Sequence, residues 1–303
     1  MGSITFVPPT VAKHRAVVTR TRKSLEYGPL VTRILDYNGQ NADRTVTVAD
    51  IVKLHGSGQQ YAQVTASTAD EAAACEAAGI EMVVCMSDCV PALRQGSSRV
   101  FITSAIDFTG AITPDDLLGV ALESLENGAD AVITARRLEV VELLAAEAIP
   151  VMGHLGFVPK KSNLFGGVRG VGKTAAEADW LWGHFRRLED AGAFAVECEL
   201  ISASVMTEIH QRTRLSTISL GSGPTADVAF LFSSDICGES EHVPRHARQY
   251  GDLARLHQKI RDERVEALTA FRADVTTRSF PDESEVVTIA TDELAQFVDR
   301  LQP

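Results

Sequence analysis

From residue 45 onward, short apolar runs alternate with longer stretches of helical periodicity. Eight runs predict strands, over 61–66, 81–86, 99–106, 129–135, 150–155, 194–200, 216–220 and 228–232. Helices are predicted between most of them, over 68–78, 114–127, 138–148, 174–191 and 202–213. Their ends carry the expected punctuation: Thr113 as a helix N-cap, and Gly79, Gly128 and Gly192 as stops. The second and third strands, and the seventh and eighth, are predicted to be joined by a loop or a short irregular helix. Strand–helix alternation at this spacing implies parallel βαβ units, and eight units imply an α/β fold, a closed (β/α)8 TIM barrel. The barrel domain is expected over 45–303. It includes a charged helical tail over 244–271 that covers the barrel or mediates contacts. Residues 1–44 are expected to be an N-terminal extension: no acidic residue precedes Glu26, while Lys13, Arg15, Arg20, Arg22 and Lys23 cluster there. That start has no apolar core of the secretory kind.

Composition narrows the function. Hydrophobic residues are 45% of the 303 and charged residues 23%, which marks a folded globular chain. No apolar run is long enough for a membrane helix. A net charge of −11 repels phosphate backbones, so no nucleic-acid partner is expected. The five cysteines are odd in number and lack CxxC spacing, which fits reduced thiols in a cytoplasmic enzyme. Cys85 and Cys89 lack the second ligand pair that a structural metal site needs.

Active sites of barrels sit at the C-terminal ends of the strands. Those ends carry Thr65 and Ser67, Ser87 and Asp88, Ser104 and Asp107, Thr134 with Arg136 and Arg137, His154, Glu197 or Glu199, Ser222, and Ser234 with Asp235. Glu199 lies nearer its strand end than Glu197, and beside a histidine it is the candidate general base. The run from Gly167 to Thr174 matches the phosphate-binding pattern GxxxxGK[ST]. It follows a polar loop where that motif requires a buried strand, so Lys173 is expected at a helix start with no ATP bound.

Several segments resemble the ketopantoate hydroxymethyltransferase family, of the phosphoenolpyruvate mutase and isocitrate lyase superfamily. They are Ile149 to Pro159 around Met152-Gly153-His154-Leu155-Gly156, Asn163-Leu164-Phe165-Gly166-Gly167, Gly172-Lys173-Thr174, Ala191-Gly192-Ala193-Phe194-Ala195 with Glu199, and Ser219 to Pro224 with Asp227 and Asp235. The resemblance spans roughly residues 45 to 285. It implies an enzyme that joins the enolate of a small-molecule 2-oxo acid to a one-carbon unit from methylenetetrahydrofolate. It also implies a homo-oligomer, with Glu199 and His154 as catalytic residues.

The resemblance fails where the family holds Mg²⁺. Its metal aspartates fall on Ser87 and Ser104, its lysine and glutamate on the stretch Ile133-Thr134-Ala135-Arg136, and a first-strand tyrosine on Ser67. Mg²⁺ prefers carboxylate oxygens and water, so weak or absent Mg²⁺ binding is expected, with Asp88 and Asp107 as the only substitutes. Ser87, Asp88, Ser104, Arg136 and Arg137 are then expected to bind substrate, the arginines by holding its carboxylate. Two alternatives stand beside this: a different C–C lyase or hydrolase on a 2-oxo or related acid, and a non-catalytic relative.

Overall fold

Eight parallel strands close on themselves in the computed structural model, which describes residues 33–301. They are β1 (Tyr61–Thr65), β2 (Met82–Met86), β3 (Phe101–Ala105), β4 (Ala131–Thr134), β5 (Val151–Gly156), β6 (Ala195–Glu199), β7 (Ser216–Leu220) and β8 (Val228–Leu231). Each pairs with the next. β8 returns to β1, with Val228 level with Tyr61 and Leu231 level with Val64. The predicted TIM barrel is therefore the observed fold, and its eight strands are the eight apolar runs.

Strand residues alternate between two cores. Met82, Val84, Phe101, Ile133, Met152 and Ile218 fill the interior. Val83, Ile102 and Val132 face outward and pack under the surrounding helices with Leu144 and Phe185. Buried on both faces, such strands read as unbroken apolar runs. The helices begin with α1 (Val48–Leu54), followed by α2 (Ala69–Ala78), α3 (Val90–Gly96), α4 (Pro114–Glu126), α5 (Leu138–Ala146), α6 (Ala175–Asp190) and α7 (Ala203–His210). Thr68 with Glu71, and Thr113 with Asp116, form reciprocal capping boxes that start α2 and α4. β7 and β8 are joined by a loop without a helix.

The unforeseen element is α1. Thr47 and Asp50 cap its start. Ile51 and Leu54 are buried in the interior cluster, and Ser216 Oγ donates to Ile51 O at 2.9 Å. The helix thus plugs the end of the barrel from which the strands start. Just before it, Ile34–Leu35 pairs with Asn41–Ala42 in a small hairpin, and Asn38 Nδ2 donates to Glu126 O at 2.8 Å. Most of the expected extension over 1–44 lies outside the described residues.

The tail is helical as expected, but of its two expected roles covering the barrel is not seen. After the short α8 (Ser233–Cys237) come α9 (Leu253–Thr277) and α10 (Thr291–Arg300). Every residue from Ala254 to Leu301 is exposed, so neither helix covers the barrel. An amphipathic stripe signals a partner surface but does not say which surface.

Removing the buried wedge of α1 tests the plug. Ile51→Ala should lower unfolding free energy by about 2–5 kcal/mol, read as a shifted urea midpoint with unchanged slope.

Candidate active site

The ends of β5 and β6 build the site. In their register His154 lies level with Glu197, and Gly156 level with Glu199. Alternation turns Ala195, Glu197 and Glu199 to the same, inner face. Beyond this pair the chains stay in close contact, and Phe157 N donates to Glu199 O at 2.8 Å. Gly156 has φ +93°, and a Cβ there would strike the Glu199 carbonyl, so the approach requires glycine. Leu200 follows with φ +51°, a left-handed turn that ends the strand at once.

His154 Nε2 lies 3.2 Å from Glu199 Oε2, 3.8 Å from Glu197 Oε1 and 3.1 Å from Phe157 O. All three are acceptors, so Nε2 carries a proton. Burial pushes the imidazole down, but the hydrogen bond to Glu199, the two carboxyl charges and the Phe157 carbonyl together raise it above the ordinary histidine value. Burial raises Glu197, as does the charge of Glu199, against the pull of His154. His154 is thus held toward its charged form and Glu197 toward its neutral, proton-donating form. His154 Nδ1 has no hydrogen-bond partner among the described residues.

His154 and Glu197 open on a cavity of about 430 Å³ at the strand ends. Its other walls are largely apolar, with Met86, Ala105, Phe108, Phe230 and Phe232 prominent. Thr65 and Ser67 reach it as expected, and Thr65 Oγ1 lies 3.0 Å from Ser233 Oγ. The aromatic wall was not foreseen: Phe230 and Phe232 sit in an apolar strand run and carry no polar signal.

Other expected residues lie elsewhere. Ser104 is fully buried and donates to Ser124 Oγ on α4 at 2.9 Å, so it faces outward. The inward residues of β3 are Phe101, Thr103 and Ala105. Ser87 and Asp88 fall in a 3₁₀ turn off the cavity, and Asp88 is exposed. Arg136 Nη2 donates to the carbonyls of Asp107, Phe108 and Ala111, which ties down the loop after β3. Arg137 is exposed and lies 3.8 Å from Glu139. Neither arginine lines the cavity. They border an adjoining cleft of about 380 Å³ that touches it at His154. Asp107 accepts from Lys160 Nζ at 2.6 Å and from Thr109, which hold its carboxyl well below the usual range. Ser222 donates to Cys198 O at 2.7 Å, and Asp235 accepts from Ser240 at 2.6 Å, both inside the scaffold.

These positions settle the fit for Mg²⁺. The residues facing the mouth at the ends of β2 and β3 are Met86 and Ala105, which offer no side-chain oxygen. Asp88 is exposed, and Asp107 is engaged by Lys160 and Thr109. The remaining set at the mouth is His154, Glu197 and Glu199, whose donor atoms lie within 4.8 Å of one another. It can offer a cation two carboxyls and an imidazole, but its Nε2 is spent as a donor to Phe157 O. The residues do not fit Mg²⁺ at the position the resemblance assigns. At the nucleotide-like run, the carboxylate of Glu177 accepts from Lys173 N at 2.9 Å and pairs with Arg169 at 2.8 Å. It occupies the start of α6, where a phosphate would sit.

A closed parallel barrel with a histidine–carboxyl cluster at its strand ends has the layout of a (β/α)8 enzyme. The family model described as ketopantoate hydroxymethyltransferase matches residues 84–283. A 3-methyl-2-oxobutanoate hydroxymethyltransferase of Thermobifida fusca (strain YX) is 31% identical over 281 residues, covering 81% of this chain and 94% of the relative. One of Pyrobaculum islandicum (strain DSM 4184 / JCM 9189 / GEO3) is 32% identical over 263 residues, covering 78% and 97%. Among solved structures, 2,3-dimethylmalate lyase, a PEP mutase/isocitrate lyase superfamily member, aligns over 76% of this chain and 89% of its own, at 11% identity and a TM-score of 0.47. The chain belongs to the ketopantoate hydroxymethyltransferase family. Among the described residues no helix is long and apolar enough to cross a membrane.

The raised His154 has a consequence for stability. Its folded value lies above the ordinary 6.5, so the folded chain binds that proton more tightly than the unfolded one. The stabilisation is complete below about pH 6.5 and is lost as pH climbs through the folded value. Urea unfolding from pH 6 to 9 should show this decline, and His154→Gln should flatten it. A wild-type profile that rises with pH in this window would contradict the assignment.

Proposed function

We propose that this enzyme joins the enolate of a branched 2-oxo acid to a one-carbon unit supplied by methylenetetrahydrofolate. The observation that carries the reading is His154, held by Glu199 through Nε2, with Nδ1 free beside the cavity. Glu199 takes the proton from carbon 3, and the electron pair moves into an enolate whose oxygen accepts from His154 Nδ1–H. A donor aimed at a developing oxyanion in a dry pocket is worth about 10²–10³ in rate. Glu197, buried and pushed toward its protonated form, is a second donor lower in the cavity. Water cleaves the bonds that hold the one-carbon unit to the folate nitrogens, releasing tetrahydrofolate and leaving the carbon as an aldehyde. The enolate carbon adds to it, and the new hydroxymethyl oxygen takes the proton held by Glu199. Met86, Phe230 and Phe232 suit an aliphatic side chain, in keeping with the 3-methyl-2-oxobutanoate in the relatives' name. Asp88, Asp107, Ser104, Arg136 and Arg137 have no part in this scheme.

A second reading rests on the same pair. An enolate stabilised without Mg²⁺ also serves a lyase that releases a carbonyl fragment and needs no folate. Exposed apolar residues along α9, such as Leu268 and Phe271, support assembly of several copies. Five free cysteines support a reducing compartment, the cytoplasm.

Exchange of the carbon 3 proton of 3-methyl-2-oxobutanoate in D₂O, followed by NMR, tests the base. Glu199→Gln should slow exchange by about 10²–10⁴, and Glu197→Gln by less. Full exchange in Glu199→Gln would remove it from the base role. In the forward reaction, product should require methylenetetrahydrofolate and persist in EDTA. A reaction abolished by EDTA and restored by Mg²⁺ would overturn the metal-free scheme.

A further inference from the structure

At the opposite end of the barrel, His55, His210 and Asp227 meet from three separate elements. His55 caps the C-terminus of α1, His210 is the last residue of α7, and Asp227 immediately precedes β8. Asp227 O accepts from Tyr61 N at the start of β1, which places the group at the strand beginnings, away from His154. We propose that these three residues form a binding site for a borderline transition-metal ion of the Zn²⁺ or Co²⁺ kind.

The donor set is two imidazoles and one carboxylate, which suits Zn²⁺ and Co²⁺ and not Mg²⁺, whose ligands are oxygens. The spacing matches too. His55 Nδ1 lies 2.9 Å and His210 Nδ1 3.9 Å from Asp227 Oδ2. Two ligands each about 2.0–2.1 Å from a tetrahedral ion stand roughly 3.3 Å apart, between these two values. All three donor atoms lie within 4.8 Å of one another, so an ion enters through side-chain movement alone.

The surroundings have the form of an outer shell. His55 Nε2 donates to the Thr213 carbonyl at 3.0 Å. A metal-bound histidine characteristically gives its other N–H to such an acceptor, which fixes the tautomer and turns the remaining nitrogen to the ion. Asp227 Oδ2 accepts from Thr217 N at 2.7 Å and Thr217 Oγ1 at 3.1 Å, so the carboxylate is aimed and held. Metal binding would draw His55 Nδ1 from its 2.9 Å contact with Asp227 Oδ2 and His210 Nδ1 from its 2.9 Å contact with Thr217 Oγ1. The side chains of His55 and His210 are 20% and 16% exposed and that of Asp227 3%, so the site is shielded yet reachable. Its occupant would staple the α1 plug to α7 and to the β7–β8 turn.

Stripped protein titrated with Co²⁺ tests the site, since tetrahedral Co²⁺ absorbs strongly in the visible. One equivalent should bind in the wild type and in His154→Ala, with Zn²⁺ displacing the Co²⁺. His210→Ala and His55→Ala should each weaken binding at least about tenfold, with unchanged circular dichroism. Should His55→Ala fail to fold, His210→Ala alone decides. Thermal unfolding gives a second reading: Zn²⁺ should raise the wild-type Tm more than that of His210→Ala. No bound equivalent in the wild type would show that the cluster is a plain ion pair and overturn the proposal. So would an equivalent lost in His154→Ala and kept in His210→Ala.

Discussion

The carbonyl of Glu199 lies so close to Gly156 that no side chain can stand there. The same carbonyl accepts from Phe157 N. This one contact holds the ends of β5 and β6 together past their last paired residues. It brings the Phe157 carbonyl back over His154 and keeps Glu199 beside the imidazole. The strained turn at Leu200 and the glycine at 156 are parts of one arrangement. Strain of this kind persists where the surrounding barrel over-determines it.

Charge balance follows from that geometry. One imidazole stands among two carboxyls in a pocket with apolar walls. Two bare carboxylates beside each other would be costly, so the buried Glu197 is pushed toward its neutral form while His154 is pushed toward its charged one. The two shifts divide the roles, with His154 favoured as the cation and Glu197 as the acid. An environment that separates the protonation states of neighbouring groups is a recurring device of acid–base enzymes.

The barrel was legible because each strand is buried on both faces and so forms an unbroken apolar run bounded by turns. That His154, Glu197 and Glu199 meet at one mouth was legible because a strand end in this fold is a known address. Arg136 was read as a ligand for substrate because a guanidinium at a loop shows its charge in sequence but not its three carbonyl partners. Ser104 was misplaced for another reason: alternation moves a side chain to the other face with each residue. α1 escaped because seven residues with two buried apolar positions give too little periodicity. The aromatic wall of the cavity escaped because Phe230 and Phe232 look like core.

Closure of the barrel joins segments from opposite ends of the domain. Thr65 meets Ser233 across 168 positions of sequence, and α1, which comes before every strand, rests on β7 through Ser216. Loop closure of that length has an entropic cost that must be met before any contact it makes can compensate. β5 and β6, by contrast, are neighbours in sequence and need only the α6 crossover between them. The half of the molecule that carries the histidine–carboxyl cluster can therefore assemble early in folding. The seam between β8 and β1, and the plug beneath it, are the places where this chain should fold last and open first.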